Sequence, residues 1–295
     1  MKRGVLLCLV GLMCLCASCA QAWEAFLVGE AAEVVSRPEE GRWMYLSPEL
    51  NIVIQRCTDD TPRVWYETHV QASQALPMRT VVTPGSNPGR RLVNPLSFAR
   101  ENHLVLALTD DFFGFRLRYD HTPGILIREG QVLSTRTYSS RRADLWPNLD
   151  TLAVYADGSV KANESDAHTA QEYLDMGARQ VFAFGPVLVS DGQINPKVLQ
   201  SDYYAYHEPR MAMGMIEPYH YLILTVEGRT EKSVGAKLDW LAQKMLELGC
   251  VEALNLDGGG TAALMFMGEV INRSERNMRS VGSLIGFGCS EDVQP

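Results

Sequence analysis

Cysteine is scarce in the body of this chain. Of seven cysteines, Cys8, Cys14, Cys16 and Cys19 crowd into the first 19 residues, leaving Cys57, Cys250 and Cys289. Three cysteines with no Cys-x-x-Cys spacing exclude a disulfide-stapled scaffold and a thiolate zinc site, and permit at most one intramolecular bridge. Basic charge is also short. The 27 Lys and Arg residues are outnumbered by 35 Asp and Glu, for a net charge of −8. With no dense basic stripe, nucleic acid is not an expected partner. The one long apolar run, Val5 to Ala17, falls short of the roughly 20 residues needed to cross a membrane. A His-Glu-x-x-His pair, a Gly-x-Ser-x-Gly elbow and a Walker loop are all missing. Those absences remove the zincin, serine-hydrolase and P-loop chemistries. No repeat or low-complexity stretch divides the chain.

What is present is enough apolar material for a large core: 295 residues, 46% hydrophobic and 21% charged. Lys2 and Arg3, the run from Val5, and Ala20-Gln21-Ala22 before Trp23 have the three-part grammar of a secretory signal. Residues 1–22 are expected to direct export to a periplasmic, secreted or cell-envelope location. The alternative is a lipid anchor on Cys19 after Ala17-Ser18. Removing that segment takes away two positive charges and brings the net charge from −8 to −10. No transmembrane segment is expected in the mature chain. Residues 23–44 then form an N-terminal segment of mixed pattern, 45–289 a single domain, and 290–295 a tail.

Short strands dominate the pattern. Asn51–Cys57 and Arg63–His69 read as a strand pair across a Thr-Asp-Asp-Thr-Pro turn. His103–Leu108 reads as a buried strand, and Thr80–Asn94, with Pro84-Gly85 and Pro88-Gly89, as an exposed irregular loop. Glu129-Gly130 and Asp157-Gly158 mark hairpins. Val181–Val189 is a strand interrupted at Gly185-Pro186. Two helices stand out. One runs from Ala167 to Met176. The other runs from Ser233 to Leu248, with an apolar stripe at Val234, Leu238, Leu241, Met245 and Leu248, Ser233 as its cap and Gly249 as its stop. Many short strands with few helices and no β-α-β alternation predict an α+β fold, a single domain of mixed or antiparallel sheet with a few packed helices.

Four stretches concentrate the chemistry. Asn255-Leu-Asp257-Gly258-Gly259-Gly260-Thr261 sets a carboxylate beside three glycines whose N–H groups can form an anion-binding nest. Equally, it can be a tight turn in which Asp257 bonds its own backbone. His207-Glu208-Pro209-Arg210 offers two titratable groups and a fork-shaped phosphate ligand, or a solvated loop. Asn272 to Arg276, with Arg273 and Arg279 nearby, is a polar loop. Thr109-Asp110-Asp111 places two carboxylates at the end of a buried strand, suited to metal binding, acid–base work or capping.

In order and spacing these stretches resemble the phosphodiester glycosidase family. The resemblance runs through Phe184-Gly-Pro-Val-Leu-Val-Ser-Asp-Gly192, Glu208-Pro-Arg210 with Ala212 and Gly214, and Val226-Glu-Gly-Arg229. It continues into Gly249-Cys250, Ala253–Thr261, Gly268, Asn272, Arg276 and Gly282, and covers about residues 45–289. It implies a hydrolase that cleaves a sugar-1-phosphodiester at the glycosidic carbon, in cell-envelope or exopolysaccharide metabolism. Asp257 or Glu208 is then the catalytic carboxylate. Arg210, His207, Asn255, Gly258, Gly259, Gly260, Thr261, Asn272, Arg276 and Asp111 would bind sugar or phosphate. The resemblance implies no cofactor, although a divalent cation is compatible with the acidic stretches. Where the family has Asn-Gly-Gly-Phe-Phe, this chain has Thr109-Asp110-Asp111-Phe112-Phe113. Two added carboxylates would oppose a phosphodiester unless a cation or Arg210 offsets them. That departure keeps open two alternatives: a non-catalytic envelope protein that binds sugar phosphates, and a phosphoesterase with a divalent metal on Asp110, Asp111 and Asp257.

Overall fold

The computed structural model describes residues 31–111, 124–136, 149–200, 206–272 and 278–294. The proposed signal segment, Phe112-Phe113 and Arg276 lie outside these residues. Among the described residues the fold is α+β, built from three antiparallel sheets. The largest has nine strands in the order β1 (Glu33–Arg37), β2 (Arg42–Leu46), β3 (Leu50–Thr58), β4 (Val64–Ala72), β15 (His220–Val226), β14 (Arg210–Glu217), β16 (Glu252–Leu256), β12 (Val187–Ser190) and β13 (Gln193–Ile194). A second runs β10 (Val160–Asn163), β9 (Asp150–Tyr155), β11 (Ala178–Phe184), β7 (Gly124–Arg128) and β8 (Gln131–Arg136). A third runs β18 (Glu269–Val270), β17 (Leu264–Phe266), β6 (Leu104–Thr109), β19 (Ser283–Cys289) and β5 (Arg79–Val82). Four helices accompany them: α1 (Pro95–Glu101), α2 (Ala170–Asp175), α3 (Pro196–Gln200) and α4 (Leu238–Glu247).

The main core lies where the three sheets face one another. It joins Ile52 and Ile54 of β3, Met211 and Met213 of β14, Leu254 and Leu256 of β16, Phe182 of β11 and Leu106 and Leu108 of β6. The opposite face of the large sheet is covered by α4. Leu238, Leu241, Ala242 and Met245 of that helix are fully buried against Ala212, Leu222, Leu224 and Ala253. Burying each large side chain of that stripe stabilises the packing by roughly 1.5–3 kcal/mol.

Several elements differ from the sequence expectation. The helix expected from Ser233 begins only at Leu238. Ser233 is not its cap: the hydroxyl donates to the Glu227 carbonyl and accepts the Val64 N–H. Gly235 has φ +99, and a Cβ there would come within 2.6 Å of the Glu208 backbone, so the chain passes residue 208 extended instead of coiled. Ala236 and Glu208 bond each other's main chain at 3.0 and 3.2 Å. The loop expected at Thr80–Asn94 contributes an edge strand, since Arg79–Val82 pairs with β19. Sheet pairing also begins at Glu33, inside the segment read as mixed. The interruption at Gly185-Pro186, a cis peptide, is where the chain leaves the β10–β8 sheet for the nine-stranded one. Cys250 is buried and Cys289 exposed, and neither forms a disulfide.

Candidate active site

The site forms because antiparallel register brings distant motifs to one end of the sheets. Met211 of β14 pairs with Leu256 of β16, and Arg210 with Val226 of β15. The residues just before β14 (207–209), just after β15 (227–229) and just after β16 (257–261) therefore emerge side by side. Gly258 sits so close to Pro209 that a Cβ would stand 2.4 Å from its carbonyl oxygen. The Gly259 N–H donates to that same oxygen at 2.9 Å, and Gly259 has φ +59, in the left-handed region that glycine occupies without strain. Thr261 N–H closes the turn on the Gly258 carbonyl at 3.1 Å.

Two arginines flank this triglycine turn. The Arg229 guanidinium nitrogens lie 3.4 and 3.5 Å from the point a Gly259 Cβ would occupy, and the Arg279 Nε lies 3.0 Å from that of Gly260. Arg279 also donates its N–H to the Gly260 carbonyl at 3.1 Å. Arg229 and Arg279 are exposed, so their charge faces incoming solute. Glu208 is partly buried and pairs through Oε2 with Arg229 Nε at 2.5 Å. Asp257, 4% exposed, follows β16 directly, and its N–H donates to the Asp110 carbonyl at 3.2 Å.

Other expected binding residues are engaged structurally. Arg210 is buried and donates from Nε to the Ala236 carbonyl and from Nη2 to the Tyr206 carbonyl. Asn255 donates its amide to the Gly185 carbonyl at 2.9 Å, clamping the junction between β11 and β12. Asn272 accepts the Leu264 N–H and donates to the Ala262 carbonyl, bracing the turn's return strand. Thr261 is buried on the turn, whereas His207 is exposed at its edge.

Asp111 points away from the turn, into a buried charge cluster. Its Oδ2 accepts Arg128 Nη2 at 2.7 Å and the Ala183 N–H at 3.2 Å. Asp110 Oδ2 accepts the same Nη2 at 3.2 Å and the Ser283 hydroxyl at 2.5 Å. The offsetting cation is thus Arg128 and not Arg210. One guanidinium serves two carboxylates in a site almost closed to water. Burial, then the Asp111 charge, pushes the Asp110 carboxyl up to about 7, against the opposing pull of Arg128 and Ser283. Burial also acts against the charge on Arg128, but the two aspartates outweigh it and hold its pKa above the usual arginine value. Asp110, Asp111 and Asp257 are therefore not gathered as a metal donor set. Among the described residues, no three His, Cys, Asp or Glu side chains cluster for a metal ion.

Arg229, Arg128 and Ser283 are not among the site residues expected from the sequence, and Arg279 figures there only beside the 272–276 polar loop. Arg229 stood inside the Val226-Glu-Gly-Arg229 motif, and its φ of +62 marks the turn that aims it at the glycines. Arg128 carried no local signal, because its partners lie on other strands.

The sequence pattern of phosphodiester glycosidases matches residues 102–288, well over half of the chain. The SPbeta prophage-derived uncharacterized protein YomE of Bacillus subtilis (strain 168) is 29% identical over 180 residues, 60% of this chain and 26% of that protein. The match thus spans about a quarter of that relative's length. The catalytic domain of zebrafish N-acetylglucosamine-1-phosphodiester alpha-N-acetylglucosaminidase, auto-inhibited by its pro-peptide, shares the fold. Its TM-score is 0.61 at 17% identity, over 82% of this chain and 83% of that one. A hypothetical protein from Synechocystis also shares it, with a TM-score of 0.57 at 14% identity over 89% of this chain and 64% of that one. The chain belongs to the phosphodiester glycosidase family.

Proposed function

We propose that the protein hydrolyses the bond between C1 of a sugar and the oxygen of a phosphodiester, as in a GlcNAc-1-phosphodiester. Water adds to C1, and the phosphate leaves as a monoester with its second substituent intact. The observation that carries this reading is the convergence of Arg229 and Arg279 on the Gly258–Gly260 turn, beside the carboxylates of Asp257 and Glu208. Two guanidinium groups suit a phosphodiester anion and the larger charge it gains on leaving. Because phosphate is a good leaving group, little protonation is required. One carboxylate suffices to attack C1, or to activate water, while stabilising oxocarbenium-like charge. Asp257 takes that part as the buried group at the strand end. Glu208 is the alternative, and its pairing with Arg229 is exchanged for the phosphate on binding. Residues 1–22 direct the enzyme out of the cell, where envelope or exopolysaccharide metabolism supplies such substrates.

The test is incubation with UDP-GlcNAc and with GlcNAc-1-phosphodiesters, with and without EDTA, and identification of both products. Free GlcNAc with the intact phosphomonoester, at a rate EDTA does not change, is the expected outcome. Arg229→Ala should raise KM by tenfold or more, following loss of a charge-assisted contact. GlcNAc-1-phosphate as product would mean cleavage at phosphorus and would overturn the reading. Full turnover in both Asp257→Asn and Glu208→Gln would overturn the assignment of the carboxylates.

A further inference from the structure

We propose that Asp110 is a positioning residue for the triglycine turn, acting through a main-chain strut and effective only while the Asp110–Asp111–Arg128 cluster is neutral. The proposal rests on the assignment of Asp257 above and identifies what sets its place.

The strut is continuous. Asp110 accepts the Asp257 N–H, at the start of the turn. One residue earlier, the Thr109 hydroxyl donates to the Thr261 carbonyl at 2.8 Å and accepts the Ala263 N–H at 3.0 Å, at its far end. Both ends of the turn are therefore hung on residues 109 and 110. The side chain of Asp110 is held in turn by Arg128 from β7 and Ser283 from β19. Asp111 is the next residue along the chain, and β11 presents the Ala183 N–H, the Val181 carbonyl and the Phe182 ring. Across the strut stands Asp257. Among the described residues, Arg128 is thus the one cation set against Asp110 and Asp111. Among the described residues, the Oδ1 atoms of Asp110 and Asp111 are buried with no hydrogen-bond donor. With one proton on the pair the cluster is neutral. With none it carries a net negative charge that water does not reach, and the repulsion falls on the residue carrying the strut. The displacement of the Asp110 carboxyl to about 7 places this change within the working range.

The test follows GlcNAc-1-phosphodiester hydrolysis from pH 6 to 9, alongside hydrogen-exchange protection factors of residues 257–263. In the wild type, kcat should fall above about pH 7, approaching tenfold per pH unit, with KM within about twofold. Protection should fall over the same range. Asp110→Asn cannot ionise and should show neither decline. Ser283→Ala removes a donor that favours the anion, and should move both midpoints to higher pH. It decides the matter if Asp110→Asn does not fold. A decline that persists in Asp110→Asn, or midpoints unmoved in Ser283→Ala, would overturn the proposal. So would wild-type protection that stays level across the range. If the wild type turns over no substrate, the functional reading fails, and the protection factors alone still decide the strut.

Discussion

Replacing Asp110 by Asn should make the protein more stable at alkaline pH, the reverse of what loss of a buried ion-pair partner ordinarily does. Asp110 has an ordinary value of 3.8 and is carried to about 7 in the fold. Between those values the folded protein holds one more proton than the unfolded chain. Stability therefore falls as pH rises through that window and levels off above it. The whole displacement corresponds to about 4 kcal/mol. About 2–3 kcal/mol of it falls between pH 5 and 8. Asn keeps the shape, can accept from Arg128, and leaves Asp111 and Arg128 as a one-to-one pair. Ionisable groups outside the Asp110–Asp111–Arg128 cluster act alike in both proteins, so the difference between them isolates the titration of that cluster. Thermal unfolding of both proteins at half-unit steps from pH 5 to 8.5 measures it. The Tm of Asp110→Asn should rise relative to the wild type by roughly 4–6 °C between pH 5 and 8. A difference that stays constant across the series, or one that grows toward acid, would refute the argument that a single cation serves two buried carboxylates.

Three further outcomes are expected. Thr109→Val should leave the Thr261 carbonyl and the Ala263 N–H without their shared hydroxyl. The cost of about 1–3 kcal/mol per group should appear in urea unfolding together with loss of turnover. Gly258→Ala forces a methyl to within 2.4 Å of the Pro209 oxygen. It should destabilise by about 1–3 kcal/mol and depress kcat, whereas Gly130→Ala, where a Cβ meets nothing and the cost comes from the φ of +76 alone, should leave kcat near wild type, as paired kinetic and unfolding measurements would show. Buried His69 contacts His220 at 3.3 Å, and burial, then the His220 charge, lowers it to about 3. The unfolded chain takes up that proton near pH 6.5 and the folded one does not, so stability falls as the solution is acidified. His69→Gln should reduce the loss between pH 6.5 and 4.5 by about 2–3 kcal/mol in matched denaturation series.

The parts of the fold legible in the sequence are those whose causes are local. The Glu129-Gly130 turn lies between two β-rich runs and becomes the β7–β8 hairpin, with both turn residues at positive φ. The apolar stripe at Leu238, Leu241 and Met245 buries as a helix face, and Gly249 stops it at φ +95. The helix starts five residues later than the apolar spacing predicts because Gly235 has to pass Glu208, a contact that spacing does not show. Strands β1 and β5 carry mixed patterns because they are edge strands, held largely by main-chain pairing to one neighbour.

The site divides along the same line. Asp257 with its three glycines, and Glu208 before Arg210, were visible because a carboxylate beside glycine or proline is a local peculiarity. That Arg229 and Arg279 close on those glycines depends on the register of β14, β15 and β16 and on the return of the chain at residue 279. Asp110 and Asp111, where the family has glycines, read in sequence as unwelcome charge, a metal site, acid–base groups or a cap, with nothing to choose among them. Their partners, Arg128 and Ser283, stand 18 and 173 residues from Asp110, and only the pairing of β19 with β6 and the packing of the β7 sheet against them bring those groups within hydrogen-bond reach. Sequence by itself determined the family, the α+β class and the motif bearing the candidate carboxylate, since each follows from residue type and short-range spacing. Tertiary structure alone decided which cations face solvent and which are spent inside. Charge pairing is a matter of distance and burial, and the chain supplies neither until it has folded.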